Sequence, residues 1–207
     1  MSNYRLITLT SRNINCSTIT VEEFIRAMFS DLLEAQEKYN DLYIPEWEQY
    51  KVNSFFKSLE YAHNRAIKFA ENKWKTEKKR TAYVESEIKK FRKNYKMGDF
   101  YDSLSFFDFD VNPGSMGISG DCCISYTDLT PVKLSRCFEA VKDNRYFKKA
   151  TGWKLTYTAS DNSYRSSFRP HIELIVDEET AAQMKKDADD LTESVREFYK
   201  GCTYWGD

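Results

Sequence analysis

TVEEFIRAMFSDLLEAQEKYNDLYIPEWEQYKVNSFFKSLEYAHNRAIKFAENKWKTEKKRTAYVESEIKKFRKNYK, residues 20–96, decides the fold. It covers more than a third of the chain, contains no glycine and a single proline, and is patterned as helix throughout. Thr20 with Glu23 three positions on forms a capping box, in which hydroxyl and carboxylate satisfy N–H groups that a first helical turn leaves open; Ile19 is spaced to pack against Phe24 as a hydrophobic staple. Val21, Phe24, Ile25, Met28, Phe29, Leu32, Leu33 and Tyr39 then recur at the interval that gathers side chains onto one helical face. Asn40 and Asp41 loosen the pattern, and Pro45, whose missing N–H costs nothing at a first helical position, restarts it.

In the second helix Val52, Phe55, Phe56, Leu59, Ala62, Ala66, Phe69, Ala70 and Trp74 continue an apolar stripe, with alanines small enough to let a neighbour approach. The first two helices are therefore expected to form an antiparallel hairpin. Between Trp74 and Val84 the stripe lapses while Lys73, Lys75, Lys78, Lys79 and Arg80 crowd in, so the helix either projects into solvent or breaks. Val84, Ile88, Phe91 and Tyr95 resume the pattern as a third helix, and Gly98 supplies a stop.

Outward from this stretch the signals change. Tyr4 to Thr10 has the β-branched and aromatic content of a strand. Phe100 to Asp110 reads as an aromatic and acidic connection, and the turn residues from Asn112 to Gly117 read as a loop. Ile118, Cys122, Ile124 and Tyr126 suggest a strand; Thr130 and Pro131 suggest a helix start, with Leu134, Cys137, Phe138 and Val141 on one face of a helix running towards Gly152. Trp153, Leu155, Tyr157 and Ala159 alternate with polar residues, and Ile172, Leu174 and Val176 alternate on a return strand. Asp177 is placed to cap a last helix, whose stripe is Ala181, Met184, Ala188, Leu191, Val195 and Phe198 and whose outer face, Asp187 included, is acidic on balance.

These signals define an α+β fold: an N-terminal strand, a long helical hairpin over about residues 20–96, then a small, mainly antiparallel sheet with two further helices. One domain is expected over residues 1–207, with a helical subdomain 20–97 and an α/β part 98–207 that takes in strand 4–10; the signals do not order the strands.

The chain is 41% hydrophobic and 30% charged, with a net charge of −1, which sets it among folded globular proteins and argues against a globally basic nucleic-acid binder. It has no apolar run long enough to span a bilayer, so a cytoplasmic protein without a membrane partner is expected. Cys16, Cys122, Cys123, Cys137 and Cys202 make an odd set without a C-x-x-C, which points to reduced thiols instead of a disulfide framework or a zinc site.

Three groups of residues are candidates for function. Tyr43, Trp47 and Tyr50, with Tyr39 and Tyr61 near them and Tyr204 and Trp205 in the tail, are the side chains that anchor protein interfaces. Lys73, Lys75, Lys78, Lys79, Arg80, Lys89, Lys90, Arg92 and Lys93, interleaved with Trp74, Tyr83, Phe91 and Tyr95, combine cations for phosphates with rings for bases, against the plainer reading of a solvated face beside a core stripe. Asp108 and Asp110, near Asp99, Asp102 and Asp121, have a spacing open to a hard divalent cation, though turn capping explains such a pair as well. His63 and His171 lie in no nucleophile motif, and the glycines at 114, 117 and 120 fit no phosphate loop.

With no catalytic motif and no cofactor expected, the reading is a non-enzymatic intracellular protein-binding module, a regulator or inhibitor of the kind phages and mobile elements direct at a host nuclease or defence complex. The alternatives are a nucleic-acid-binding protein using the basic helix 73–96, and a metal-dependent enzyme acting on phosphoester or glycosyl substrates through Asp108 and Asp110. The oligomeric state is not encoded in any of these signals.

Overall fold

The computed structural model describes residues 4–38, 46–95, 108–112, 115–119, 131–160 and 170–201. In chain order the elements are β1 (Tyr4–Asn13), α1 (Val21–Lys38), α2 (Glu46–Lys73), α3 (Glu77–Asn94), β2 (Asp108–Asn112), β3 (Ser115–Ser119), α4 (Pro131–Val141), α5 (Arg145–Lys149), β4 (Gly152–Ser160), β5 (Pro170–Ile175) and α6 (Glu178–Gly201). The fold is α+β and mostly helical, with a small antiparallel sheet. The described residues fall into two compact units, one drawn from Met1–Ile19, Ser105–Cys122 and Val141–Asp207, the other from Thr20–Leu104 and Cys123–Ala140.

The first unit is built on a three-stranded sheet of order β1-β4-β5, antiparallel throughout. The alternation along β4 and β5 sets the register: Trp153 stands opposite Leu174 and Leu155 opposite Ile172, and these four residues are buried. One sheet face is thereby closed over a core, since period-two spacing sends alternate side chains the same way. A bulge between Thr8 and Thr10 adjusts β1 against β4, and Leu9 is buried there. Gly152 begins β4 at φ 155°, and a Cβ there would overlap the Arg12 carbonyl oxygen, so the backbones meet only because this residue has no side chain.

Two expectations are corrected along residues 108–150. Where a loop was expected, β2 and β3 pair antiparallel, with Asn112 opposite Ser115 and Asp110 opposite Gly117, so Asn112 and Ser115–Gly117 belong to strands; Pro113 and Gly114 lie outside the described residues. The strands are only five residues each, too short for alternation to stand out against the turn residues. The helix from Pro131 does not run on towards Gly152. It ends at Val141, and Asn144 opens α5 by accepting hydrogen bonds from the backbone N–H groups of Tyr146 (2.8 Å) and Phe147 (3.3 Å). Among the described residues three helices thus follow β3 where two were expected. The candidate strand beyond Ser119 lies outside the described residues.

α6 starts as its sequence foretells. Asp177 accepts from Thr180 N–H at 2.7 Å, and this bond holds its carboxyl below the usual carboxylate range. Asp187, expected on the outer acidic face, instead accepts hydrogen bonds from Arg145 and the Tyr146 hydroxyl of α5.

In the second unit the capping box at Thr20 is formed. Glu23 Oε2 accepts from the Thr20 N–H and hydroxyl, each at 2.8 Å, and Thr20 Oγ1 accepts from Glu23 N–H at 3.3 Å. Phe24, Ile25, Met28, Leu32 and Ala35 line the buried face of α1, and the Phe24 ring meets Phe138 of α4 at 5.4 Å. Asp31, on the same stripe, is also buried. The apolar lapse after Trp74 is a break, since α2 ends at Lys73 and α3 begins at Glu77. Ring contacts pair Phe69 with Tyr83 and Phe55 with Phe91 and Tyr95, so α2 and α3 run antiparallel. α2 and α3 thus form an antiparallel pair, and α1 also meets α2, where the Arg26 guanidinium lies over the Phe56 ring.

Candidate interaction surfaces

Twenty-eight residues of α2 carry two faces. Val52, Phe55, Ala66 and Ala70 are buried. At about 100° per residue, Trp47, Tyr50 and Tyr61 fall together within an arc of about 60° on the opposite side. Their exposure is 47%, 72% and 70% respectively. Lys51 sets its ammonium 4.3 Å from the centre of the Trp47 ring, and the exposed Arg65 and Lys68 continue the arc towards the α2–α3 turn. Glu46, Glu60 and Glu71 lie away from that arc. Of the other aromatics anticipated as partner-binding, Tyr39, Tyr43, Tyr204 and Trp205 lie outside the described residues.

The turn into α3 is fastened by main-chain and arginine contacts. Trp74 N–H donates to Ala70 O at 2.9 Å, the Lys79 and Arg80 N–H groups donate to Thr76 O, and Arg80 Nε donates to Trp74 O at 2.7 Å. Phe69, Trp74 and Tyr83 form a ring cluster, with centroid separations of 5.0 to 6.2 Å, and the Lys73 ammonium lies over Phe69 and Trp74 at 5.3 and 4.9 Å. Lys75, Lys78, Lys79, Lys89 and Lys93 are exposed. Lys90 pairs with Glu87 at 2.6 Å, a bond that raises its pKa. α3 has no buried residue, so it is a surface helix held by its contacts with α2 and α1.

A groove of about 490 Å³ separates parts of α1, α2 and α3. Phe56, Leu59, Val84 and Ile88 supply its apolar floor, and Glu22, Arg26, Glu60, His63, Glu85 and Arg92 its polar lining. Arg92 holds Glu22 in a two-bond fork, Nε to Oε1 at 2.6 Å and Nη2 to Oε2 at 2.7 Å, and the Arg26 guanidinium lies 4.1 Å over the Phe56 ring. A second hollow of about 420 Å³ shares His63, Val84 and Glu85 and continues towards Arg80 and Glu71. Sequence reading gave no hint of this groove, because its sides come from residues as far apart as Glu22 and Arg92. Of the cations assigned to a nucleic-acid surface, Arg80 and Arg92 are engaged in these internal contacts, while Lys75, Lys78, Lys79, Lys89 and Lys93 are exposed.

Asp108 and Asp110 occupy alternate positions of β2, opposite Ser119 and Gly117. Among the described residues no group of three or more His, Cys, Asp or Glu is placed to hold a metal ion. His63 is exposed on α2 beside the groove. Cys16 and Cys137 are free and buried, and burial pushes the Cys16 thiol up to about 11, with a backbone hydrogen bond at Gly152 opposing it. No described helix is long and apolar enough to cross a membrane. No known protein family, no curated protein and no solved structure matches this chain.

Proposed function

We propose that this chain is a non-enzymatic protein-binding module that engages its partner through the outer face of α2, acting as a regulator or inhibitor by covering the partner's surface. The observation that carries this reading is the alignment of Trp47, Tyr50 and Tyr61, each about half exposed or more, along one side of a single helix. Single exposed aromatics are ordinary on a protein surface; several in register along about 20 Å of helix are a row of anchors, because Trp and Tyr bury large areas with few rotors to freeze. Arg65 and Lys68 extend the row with positive charge, which favours a partner carrying carboxylates beside its apolar pockets.

The test compares binding with stability. Truncating an interface anchor costs about 2 kcal/mol or more of affinity, whereas a surface change leaves stability within about 0.5 kcal/mol. Tyr50→Ala and Trp47→Ala are expected to lose a protein recovered on the parent chain from native lysate while melting within a few degrees of the parent. If both keep every partner, or both melt far lower, the reading fails.

A further inference from the structure

We infer that the outer face of α3, with the ring cluster at its start, binds single-stranded nucleic acid without sequence preference. At about 100° per residue, Lys78, Lys79, Lys89, Lys90 and Lys93 fall within an arc of about 120° whose other members are Ala82 and Ser86, so the arc contains no carboxylate. Val84, Ile88, Phe91 and Tyr95 occupy the side turned to α2 and the groove, which leaves the lysine arc outward. Lys78, Lys79, Lys89 and Lys93 are exposed and have no carboxylate partner among the described residues; Lys90 shares its charge with Glu87. Glu77 and Glu85 lie outside the arc. From Lys78 to Lys93 the cations extend along about 22 Å of helix axis.

The second observation is the aromatic platform at the arc's first turn. Tyr83 sits beside the arc in contact with Phe69 and Trp74, and Phe69 is 46% exposed. Lys73 and Lys75 are exposed at the same end. Lysines in a line neutralise phosphates as point charges, and rings at one end accept a base face; together they suit a strand whose bases are free to stack. Point-charge contacts to phosphates carry no sequence information, and every base has a face that can stack on a ring, so binding is expected to be indifferent to sequence. This face uses none of Trp47, Tyr50 or Tyr61, so it stands or falls apart from the protein-binding reading.

The probes are a labelled oligothymidylate, a DNA hairpin duplex and inorganic polyphosphate, followed by anisotropy and by tryptophan emission on the full chain at low salt. The expected result is saturable binding to oligothymidylate in preference to the duplex, with a log K against log salt slope of about −3 for four single-strand phosphate contacts. Emission should be quenched in the parent and not in Trp74→Phe. Replacing Lys78, Lys79, Lys89 and Lys93 together with Gln should weaken binding at least about tenfold and flatten the slope. A Lys89→Gln, Lys93→Gln pair, far from the turn, should give an intermediate loss if the fourfold variant does not fold. Absence of saturable binding overturns the inference, as does binding that survives the lysine changes. Equal affinity for polyphosphate without Trp74 quenching also overturns it, by showing a polyanion surface that stacks no base.

Discussion

Gly152 shows how one atom's absence sets a strand pair. Its φ of 155° and the approach of the Arg12 carbonyl leave no room for a Cβ, so Gly152→Ala has to open the β1–β4 ladder at its end or twist the backbone. The loss should exceed about 1 kcal/mol, read as a lower denaturant midpoint with an unchanged slope. Cys16 lies nearby in the chain's hydrogen-bond pattern, its N–H donating to Ala150 O at 3.2 Å and its side chain 4% exposed. With its pKa pushed up to about 11, roughly one thiol in a thousand is ionised at pH 8, and the thiolate is the reactive form. Alkylation of Cys16 by iodoacetamide at that pH should be slow in the folded chain and accelerate sharply in denaturant, followed by mass mapping of its peptide. Rapid labelling of the folded chain would show the thiol exposed. The burial of Cys16 was partly legible, because an odd cysteine without a metal spacing reads as a buried thiol; the requirement for glycine at 152 was not, since the neighbour that demands it is Arg12, far away in sequence.

Among the elements, the ends announced themselves best, because caps depend on residues only three or four apart. Thr20 with Glu23 and Asp177 with Thr180 both formed. The hydrogen bond from Thr20 N–H, and after it that from its hydroxyl, hold the Glu23 carboxyl below its usual range. A depressed folded-state pKa means the contribution is complete above the usual glutamate range and vanishes as pH falls through the depressed value. Thr20→Ala should therefore cost about 1 kcal/mol near neutral pH, and its gap from the parent should narrow in urea melts at acid pH. A gap that stays constant would show that the cap does not titrate. Breaks inside helical patterns were harder to place. The apolar stripe resumes with Tyr146 and Phe147 after Val141, so periodicity passed over the Asn144 cap that separates α4 from α5. The α2–α3 break was foreshadowed by lost periodicity and crowded lysines, but its exact partners, Arg80 on the Trp74 carbonyl and Tyr83 on Trp74 and Phe69, depend on the fold.

The net charge of −1 conceals a separation of roles along the chain: α3 carries an acid-free lysine arc, while α6 has an acidic excess beyond Asp187. The α2 row was readable because Tyr50 and Tyr61 lie eleven residues apart, close to three full helical turns. The groove was not, because three helices distant in sequence supply it. Two surfaces thus follow from one helical hairpin, an aromatic row on α2 and a lysine arc on α3. The proposed seat of a protein partner can be tested by hydroxyl-radical footprinting of the free chain and of any recovered complex, reading oxidation at each aromatic residue. Trp153, fully buried, serves as the internal reference that reacts little in either sample. Oxidation of Tyr50 and Tyr61 is predicted to fall in the complex while Phe69 is unchanged; equal oxidation of Tyr50 and Tyr61 in both samples would contradict the assignment of the α2 face to a protein partner.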